Sequence, residues 1–571
     1  MSKNQQLTVT PNPLEVHGDS VAFDLSALLP LKMLKKNKIY TVSTSYKYGE
    51  QKMDLQDVEF KSTDFPNAKT EQPTVKKHYS FFYKDEIGNG DLMVVGTASN
   101  MTKSKSKHTD ELPIAKGIIR TSRLVKDIYY IAYAEHGYNN KEELVPVVVN
   151  FYFEQGKSKL RTSEMHGHEG KNLDAFIAKH NVTRTVNIIG QHSPEGSETK
   201  NTSLADERAK AIEHYYKDRM KHFNRKHDID SIQFVTKGIV HDWEPLKKLL
   251  DSTQYHALTP EHKTQVLNII NSPGAFTEKE KELEKLPFYK KELLGKVYPK
   301  LRKARTEILT VKKKKSDVEI SALGKAVADG SINADTLTSE ELAYAATLTP
   351  SLQEKESIYK ALVKKADNWT AHNNLGAVYL EMATRETDPS AKSKLVNMAQ
   401  TSIESGIKRK ESAEGHNNLA VVYMMKNMRS EAFGELNKAQ AMEANDDLKK
   451  GMNDERGTLE IKDGKYDVAV QSLSKGHETP NVLYNLALAN LLKKDFSAAK
   501  SGFANVTTAA PSDAWGWYLA AVTGARMSDE GAVTSNLKKA VSLDKAVAEK
   551  AVNDLEFANY ANSDNFKNAL K

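Results

Sequence analysis

The sequence contains no cysteine. That absence excludes disulfides, thiolate metal centres and cysteine nucleophiles together. No stretch approaches the roughly 18 apolar residues needed to cross a bilayer. The nearest early candidate, Val21 to Met33, is interrupted by Asp24 and Pro30, so no export signal is visible. A cytoplasmic start and a start after a removed signal would both open with Met1-Ser2-Lys3, and the residues leave both open. Zero cysteines fits a periplasmic protein without disulfides and equally a lipoprotein whose lipidated cysteine lies outside these residues. Excess charge is small: 82 basic side chains stand against 75 acidic ones. No strong field toward a polyanion follows, and Lys312–Lys315 alone does not make a nucleic-acid partner.

Catalytic signatures are missing too. No nucleophile elbow, phosphate loop or dinucleotide fingerprint occurs, because the glycine-rich stretches do not sit between a strand and a helix at the needed spacing. His166-Gly167-His168-Glu169 lacks the second histidine of a zinc-protease helix, since residue 172 is Asn. The chain is therefore expected to carry no metal or cofactor and to be no enzyme, unless a site hides in its N-terminal part or its helical insertion.

What is present is ordinary soluble composition, with 39% hydrophobic and 27% charged residues and a mean hydropathy of −0.58. At 571 residues the chain exceeds one hydrophobic core and predicts three or four units. Residues 1–145 are rich in β-branched and aromatic residues in short runs. Leu7–Thr10, Val21–Leu25, Ile39–Tyr48, His78–Tyr83, Leu92–Thr97 and Ile128–Tyr133 read as strands, and Gly88-Asn89-Gly90 as a hairpin turn, predicting a β-sandwich. The basic stretch Thr102–His108 reads as a solvated loop. From Pro146 to about residue 315 strands and helices alternate, an α+β pattern with helical material inserted at about 243–299. Residues 316–338 read as a polar linker that few contacts cross, and 339–571 as helix throughout.

Within the α+β pattern the informative segment is Gly190-Gln191-His192-Ser193-Pro194-Glu195-Gly196, followed by Asn201, Leu204, Arg208 and Ala209. A glycine-bounded loop ahead of a helix offers backbone N–H groups and a positive helix end to a carboxylate, and Arg208 can add a planar two-point contact. These residues resemble the OmpA-like, peptidoglycan-binding domain, whose signature runs G-H-T-D-x-x-G, then N, L-S and R-A. Val149-Asn150-Phe151 and Leu160 resemble its opening strand. The resemblance implies that Arg208 holds the carboxylate of diaminopimelate in a peptidoglycan stem peptide, with His192, Ser193, Glu195, Gly196 and Asn201 around it. Arg208 pairing only with Asp206 or Glu207 on its own helix is the alternative. One position departs: the family's Asp, which holds the ligand's ammonium, is Ser193 here, and Glu195 is the candidate substitute. The S-P-E-G form resembles a variant in envelope proteins of Bacteroidetes.

In the C-terminal region Asn374-Leu375-Gly376 with Tyr379 recurs as Asn418-Leu419-Ala420 with Tyr423. Further copies at Gly457, Ala487 and Ala521 give steps of 44, 37, 30 and 34 residues, around the 34 of the tetratricopeptide repeat, which this region resembles. Such repeats stack helix pairs through small residues at crossings and leave a concave groove. Asn374, Tyr379, Asn418, Tyr423 and Asn485 are its candidate partner-binding residues; the amides of Asn373, Asn374, Asn417, Asn418 and Asn485 are candidates to meet a ligand's backbone, with helix capping and interhelix contacts open as alternatives.

The two resemblances together imply a periplasmic, outer-membrane-associated scaffold, lipid-anchored outside these residues. It would grip peptidoglycan with one module and an outer-membrane secretion or assembly complex with the other. A protein-interaction scaffold without wall contact stays open beside it.

Overall fold

The computed structural model describes residues 6–195, 198–240, 242–252 and 255–571. They form two compact units, Met1–Tyr138 with Asp317–Lys571, and Asn139–Ser316.

The first unit opens with two antiparallel sheets. In one, β3 (Ser20–Leu28) pairs with β1 (Gln6–Thr10), β2 (Val16–His17) and β7 (Thr74–Phe82). In the other, β4 (Lys38–Tyr48) pairs with β5 (Gln51–Asp54), β6 (Val58–Lys61) and β8 (Gly90–Asn100), and β8 also carries β9 (Ser106–His108) and β10 (Leu112–Gly117). The period-2 pattern sends alternate residues inward: Val21, Phe23, Leu25 and Ala27 of β3 meet Tyr46, Leu92 and Val94 in one shared core. Because β7 and β8 lie in different sheets, Gly88–Gly90 is a crossing between sheets and not the expected hairpin turn.

Ile128–Tyr133 also differs from expectation. It is extended but belongs to no sheet, and the region from Val125 to Glu143 contains no regular element. Its backbone partners are side chains of the helical array.

That array begins earlier than the sequence suggested. The stretch 316–338 holds a helix, Asp317–Ala328, whose Ile320 and Val327 join the apolar cluster of the first repeats. Small and apolar residues there pack, so the segment is core and not linker. After the helices Ser339–Thr347 and Leu352–Lys365 come five helix pairs, from Trp369–Arg385 with Pro389–Arg409 to Ala514–Arg526 with Glu530–Leu543. Each helix meets the next because small residues occupy the crossings: a Cβ on Gly376 would lie 2.5 Å from Ile403, and one on Gly457 2.4 Å from Leu473. Asn368, Ser412, Asn445, Thr479 and Asp513 cap the first helices of the five pairs by accepting from backbone N–H groups.

The second unit is a four-stranded sheet of order β11 (Leu144–Tyr152), β14 (Lys303–Val311), β12 (Thr183–Gln191) and β13 (Gln233–Ile239), with only β12 and β13 parallel. The helix Glu198–His222 connects that parallel pair and lays Ala209, Ile212 and Tyr216 on the sheet beside the helix His168–Ala178. Gly190 and Gly238 let it approach: a Cβ on Gly190 would sit 1.9 Å from the Ala205 carbonyl oxygen. The helical insertion has its own core, built on Trp243, Leu246, Val266, Leu293 and Tyr298.

Candidate functional site

The inner surface of the helical array holds residues 126–134 as an extended strap. Asn485 Oδ1 accepts from the Lys126 N–H at 2.9 Å and its Nδ2 donates to the Lys126 carbonyl at 2.8 Å. Asn418 does the same for Ala132 at 2.8 and 2.7 Å, and Asn374 for Ala134 at 2.7 and 2.9 Å. Asn373 adds a donor to the Ala132 carbonyl at 3.1 Å, and Asn417 one to the Tyr130 carbonyl at 2.7 Å. A primary amide carries both donor and acceptor, so a single asparagine satisfies both polar groups of one strap residue. This answers where a segment outside any sheet places its backbone hydrogen bonds.

The register follows the repeat. Asn374, Asn418, Glu455 and Asn485 all stand two residues before the small residue of their repeat, namely Gly376, Ala420, Gly457 and Ala487. They contact Ala134, Ala132, Tyr130 and Lys126, so the strap runs antiparallel to the repeats. Glu455 departs from the asparagine rule. Its Oε1 accepts from the Tyr130 N–H at 2.7 Å, its Oε2 has no hydrogen-bond partner among the described residues, and the Tyr130 carbonyl goes to Asn417 instead. Enclosure raises the Glu455 pKa well above the usual carboxylate range, opposed by the Tyr130 N–H and reinforced by Asp454.

Tyr130 is the anchor. Its ring stacks on His477 at 5.6 Å between centroids and lies over Gly451, where a Cβ would come within 2.1 Å of it. Its hydroxyl donates to Asp447, which His477 Nε2 also contacts, while Nδ1 at the other edge of the imidazole meets Asp454 at 2.6 Å. Ala132 and Ala134 are small where the strap backbone presses closest to the array, and both are buried. Tyr379 and Tyr423 contribute to the apolar cluster that also holds Tyr129, not to the asparagine ladder. Glu455, His477 and Tyr130 were not singled out by motif reading. The repeat frame could have found Glu455, which occupies the asparagine position.

In the second unit, Arg208 lies about three turns into its helix and is 1% exposed. Its Nε donates to the Lys157 carbonyl at 3.0 Å, Nη1 to Gln191 at 2.8 Å and Nη2 to Glu154 at 3.1 Å, with the Phe153 ring beneath it. It pairs with neither Asp206 nor Glu207. Burial and, next, the Arg302 charge bring its pKa down to about 10, with Glu195 opposing both.

Arg302, which motif reading missed, gathers the loop. Its Nε donates to Ser193 Oγ at 3.0 Å and its Nη2 to Glu195 Oε1 at 2.6 Å. Asn201 donates to the Glu195 carbonyl at 3.2 Å, and His192 Nδ1 donates to the Ser193 carbonyl at 2.6 Å. Gly196 lies outside the described residues. Arg302 alone hydrogen-bonds the Glu195 carboxylate, while Arg208 feels that charge only through space. Among the described residues, Glu195 Oε2, Gln191 Oε1 and the Tyr298 hydroxyl are buried without a hydrogen-bond partner.

No protein-family model matches the chain, and no curated protein does. Solved structures similar to it include tetratricopeptide-repeat proteins. YrrB, a TPR protein with an unusual peptide-binding site, is 20% identical over 34% of this chain and 97% of its own, with a TM-score of 0.27. The C-terminal part of a TPR repeat-containing protein from Cytophaga hutchinsonii is 20% identical over 38% of this chain and 87% of its own, with a TM-score of 0.30. PilW, a type IV pilus biogenesis factor, is 16% identical over 44% of this chain and 99% of its own, with a TM-score of 0.29.

Proposed function

We propose that the chain is a non-enzymatic scaffold of a bacterial cell envelope, periplasmic and outer-membrane-associated. In this reading the second unit is an OmpA-like module facing peptidoglycan, and the helical array holds extended protein segments. The observation that carries the wall contact is the imbalance around Arg208. Two buried guanidinium groups and one carboxylate leave a net positive centre, which favours a carboxylate ligand. The unpartnered oxygens of Glu195 and Gln191 suit an ammonium group. A ligand carrying both charges on one carbon, such as the free end of diaminopimelate, meets both demands, and Glu195 would take the role of the family's Asp.

The test is retention on purified sacculi. Glu195→Gln should weaken binding by removing the ammonium's counter-charge. Ser193→Asp should weaken it as well, because a second carboxylate beside Arg302 cancels the positive excess. Arg208→Lys should bind less than the parent, since a point charge cannot replace the planar fork. Unchanged retention in all three, with circular dichroism intact, would sink the wall contact.

A second reading keeps the scaffold and drops peptidoglycan. It is favoured by the three backbone carbonyls that already engage Arg208, a complete structural role for that side chain. The sacculus experiment separates the two.

A further inference from the structure

We infer that the inner groove of the helical array is a peptide-binding site closed in cis by residues 126–134. The partner it fits is an extended segment of pattern Tyr-x-Ala-x-Ala, which must displace this strap. The inference deepens the scaffold reading for the array alone and does not rest on the wall contact.

Three features separate the strap from an ordinary connection between domains. Its backbone is read over its whole length: five asparagines and one glutamate hold N–H or carbonyl groups of Lys126, Tyr130, Ala132 and Ala134. Contacts to backbone serve any extended chain, so this surface can accept another one. Side chains add to this, with Lys126 paired to Asp513 at 2.5 Å and Ile128, Tyr129, Ile131 and Tyr133 packed on the array's apolar clusters, and selection is sharpest at three points. Tyr130 fits over Gly451 against His477, and the buried Ala132 and Ala134 admit nothing larger without pushing the backbone from its asparagines. These points give the Tyr-x-Ala-x-Ala pattern. Finally, the strap has no sheet or helix to lose on leaving, since Val125–Glu143 forms no regular element.

A tethered occupant acts at an effective concentration of about millimolar, so a free segment of equal intrinsic affinity is excluded until the strap is weakened. The experiment uses the full chain and a fluorescein-labelled synthetic peptide of residues 124–138, read by fluorescence anisotropy. The parent chain should leave micromolar peptide unbound. Ala132→Trp, which cannot sit between Asn418 and the array, should open the groove and let the peptide bind. Tyr130→Ala, a milder change, should do so more weakly and guards against a folding failure of the first variant. Adding Asn374→Ala and Asn418→Ala to the opened chain should weaken peptide binding by at least about tenfold, because each change strands an N–H and a carbonyl. Replacing the peptide's own tyrosine at position 130 by alanine should weaken it similarly.

Failure of the peptide to bind either opened chain, with helical content preserved, would overturn the inference and leave the strap a structural brace. Equal binding to the parent chain would overturn the closure. Neither result bears on sacculus retention, so failure here and failure of the wall contact are told apart.

Discussion

At the scale of single residues, Glu455 differs from the asparagines that share its repeat position. An amide serves a donor and an acceptor together, whereas a carboxylate serves donors only. Burial holds the Glu455 pKa well above 4.5 in the folded chain. A raised acid pKa contributes stability that is fully present below the unfolded value and lost as pH rises toward the folded one. Glu455→Gln keeps the acceptor for the Tyr130 N–H and removes the titration. Thermal melts should therefore show the variant gaining on the parent as pH climbs above about 4.5, with no gain at lower pH. His477 keeps its own contribution of the same sign in both proteins: Asp454 and Asp447 raise its pKa against the lowering effect of its burial. A constant difference between the melts at all pH values would mean that Glu455 is not buried as a protonated acid.

At the scale of elements, the helix pairs depend on which positions are small. Gly376 and Gly434 are both helical glycines, and propensity alone treats them alike. Their surroundings differ. A Cβ on Gly376 would lie 2.5 Å from Ile403 and 3.2 Å from the Ala399 carbonyl oxygen, while a Cβ on Gly434 would meet nothing within 4 Å. Gly376→Ala should destabilise by about 1–3 kcal/mol through overpacking. Gly434→Ala should stabilise by up to about 1 kcal/mol through helix propensity. Opposite shifts in denaturation midpoint are the check, and shifts of one sign would refute the assigned crossing. Turns repeat as well: Asn427, Gly464, Lys494 and Ser528 each stand two residues past the first helix of a pair with φ of 57, 75, 70 and 59°. Only one of the four is glycine, so a glycine search does not find these turns.

At the scale of the whole chain, the α+β unit is an insertion. Its first and last strands, β11 and β14, are antiparallel neighbours, and Lys314 Nζ donates to the Lys141 carbonyl at 3.0 Å, so chain enters and leaves the unit side by side. Replacing residues 141–314 by a short glycine-serine linker should leave the sandwich and array folded, with the strap amides of Ala132 and Ala134 still protected in hydrogen exchange. The excised segment 139–316 should melt cooperatively by itself. By contrast, a fragment starting at Ser339 loses Ile320, Val327 and the strap together. It should unfold at lower temperature than the chain with the insertion removed, and equal melting would show that the strap contributes little.

The sequence by itself determined what local chemistry can encode. Alternating apolar residues placed β3, β4 and β8, and small residues at recurring spacing placed the crossings at Gly376 and Gly457. It also pointed to Asn374, Asn418 and Asn485 as side chains that hold a peptide backbone. Only the tertiary structure decided whose backbone that is. Ile128–Tyr133 has the composition of a strand, and nothing local tells a strand that pairs in a sheet from one whose partners are asparagines 240 or more residues away. The same holds for Arg302, which stands more than a hundred residues from Ser193 and Glu195 and carries no motif. Side-chain chemistry is written residue by residue, whereas the pairing of distant groups is set by packing, which the chain resolves only when its cores close.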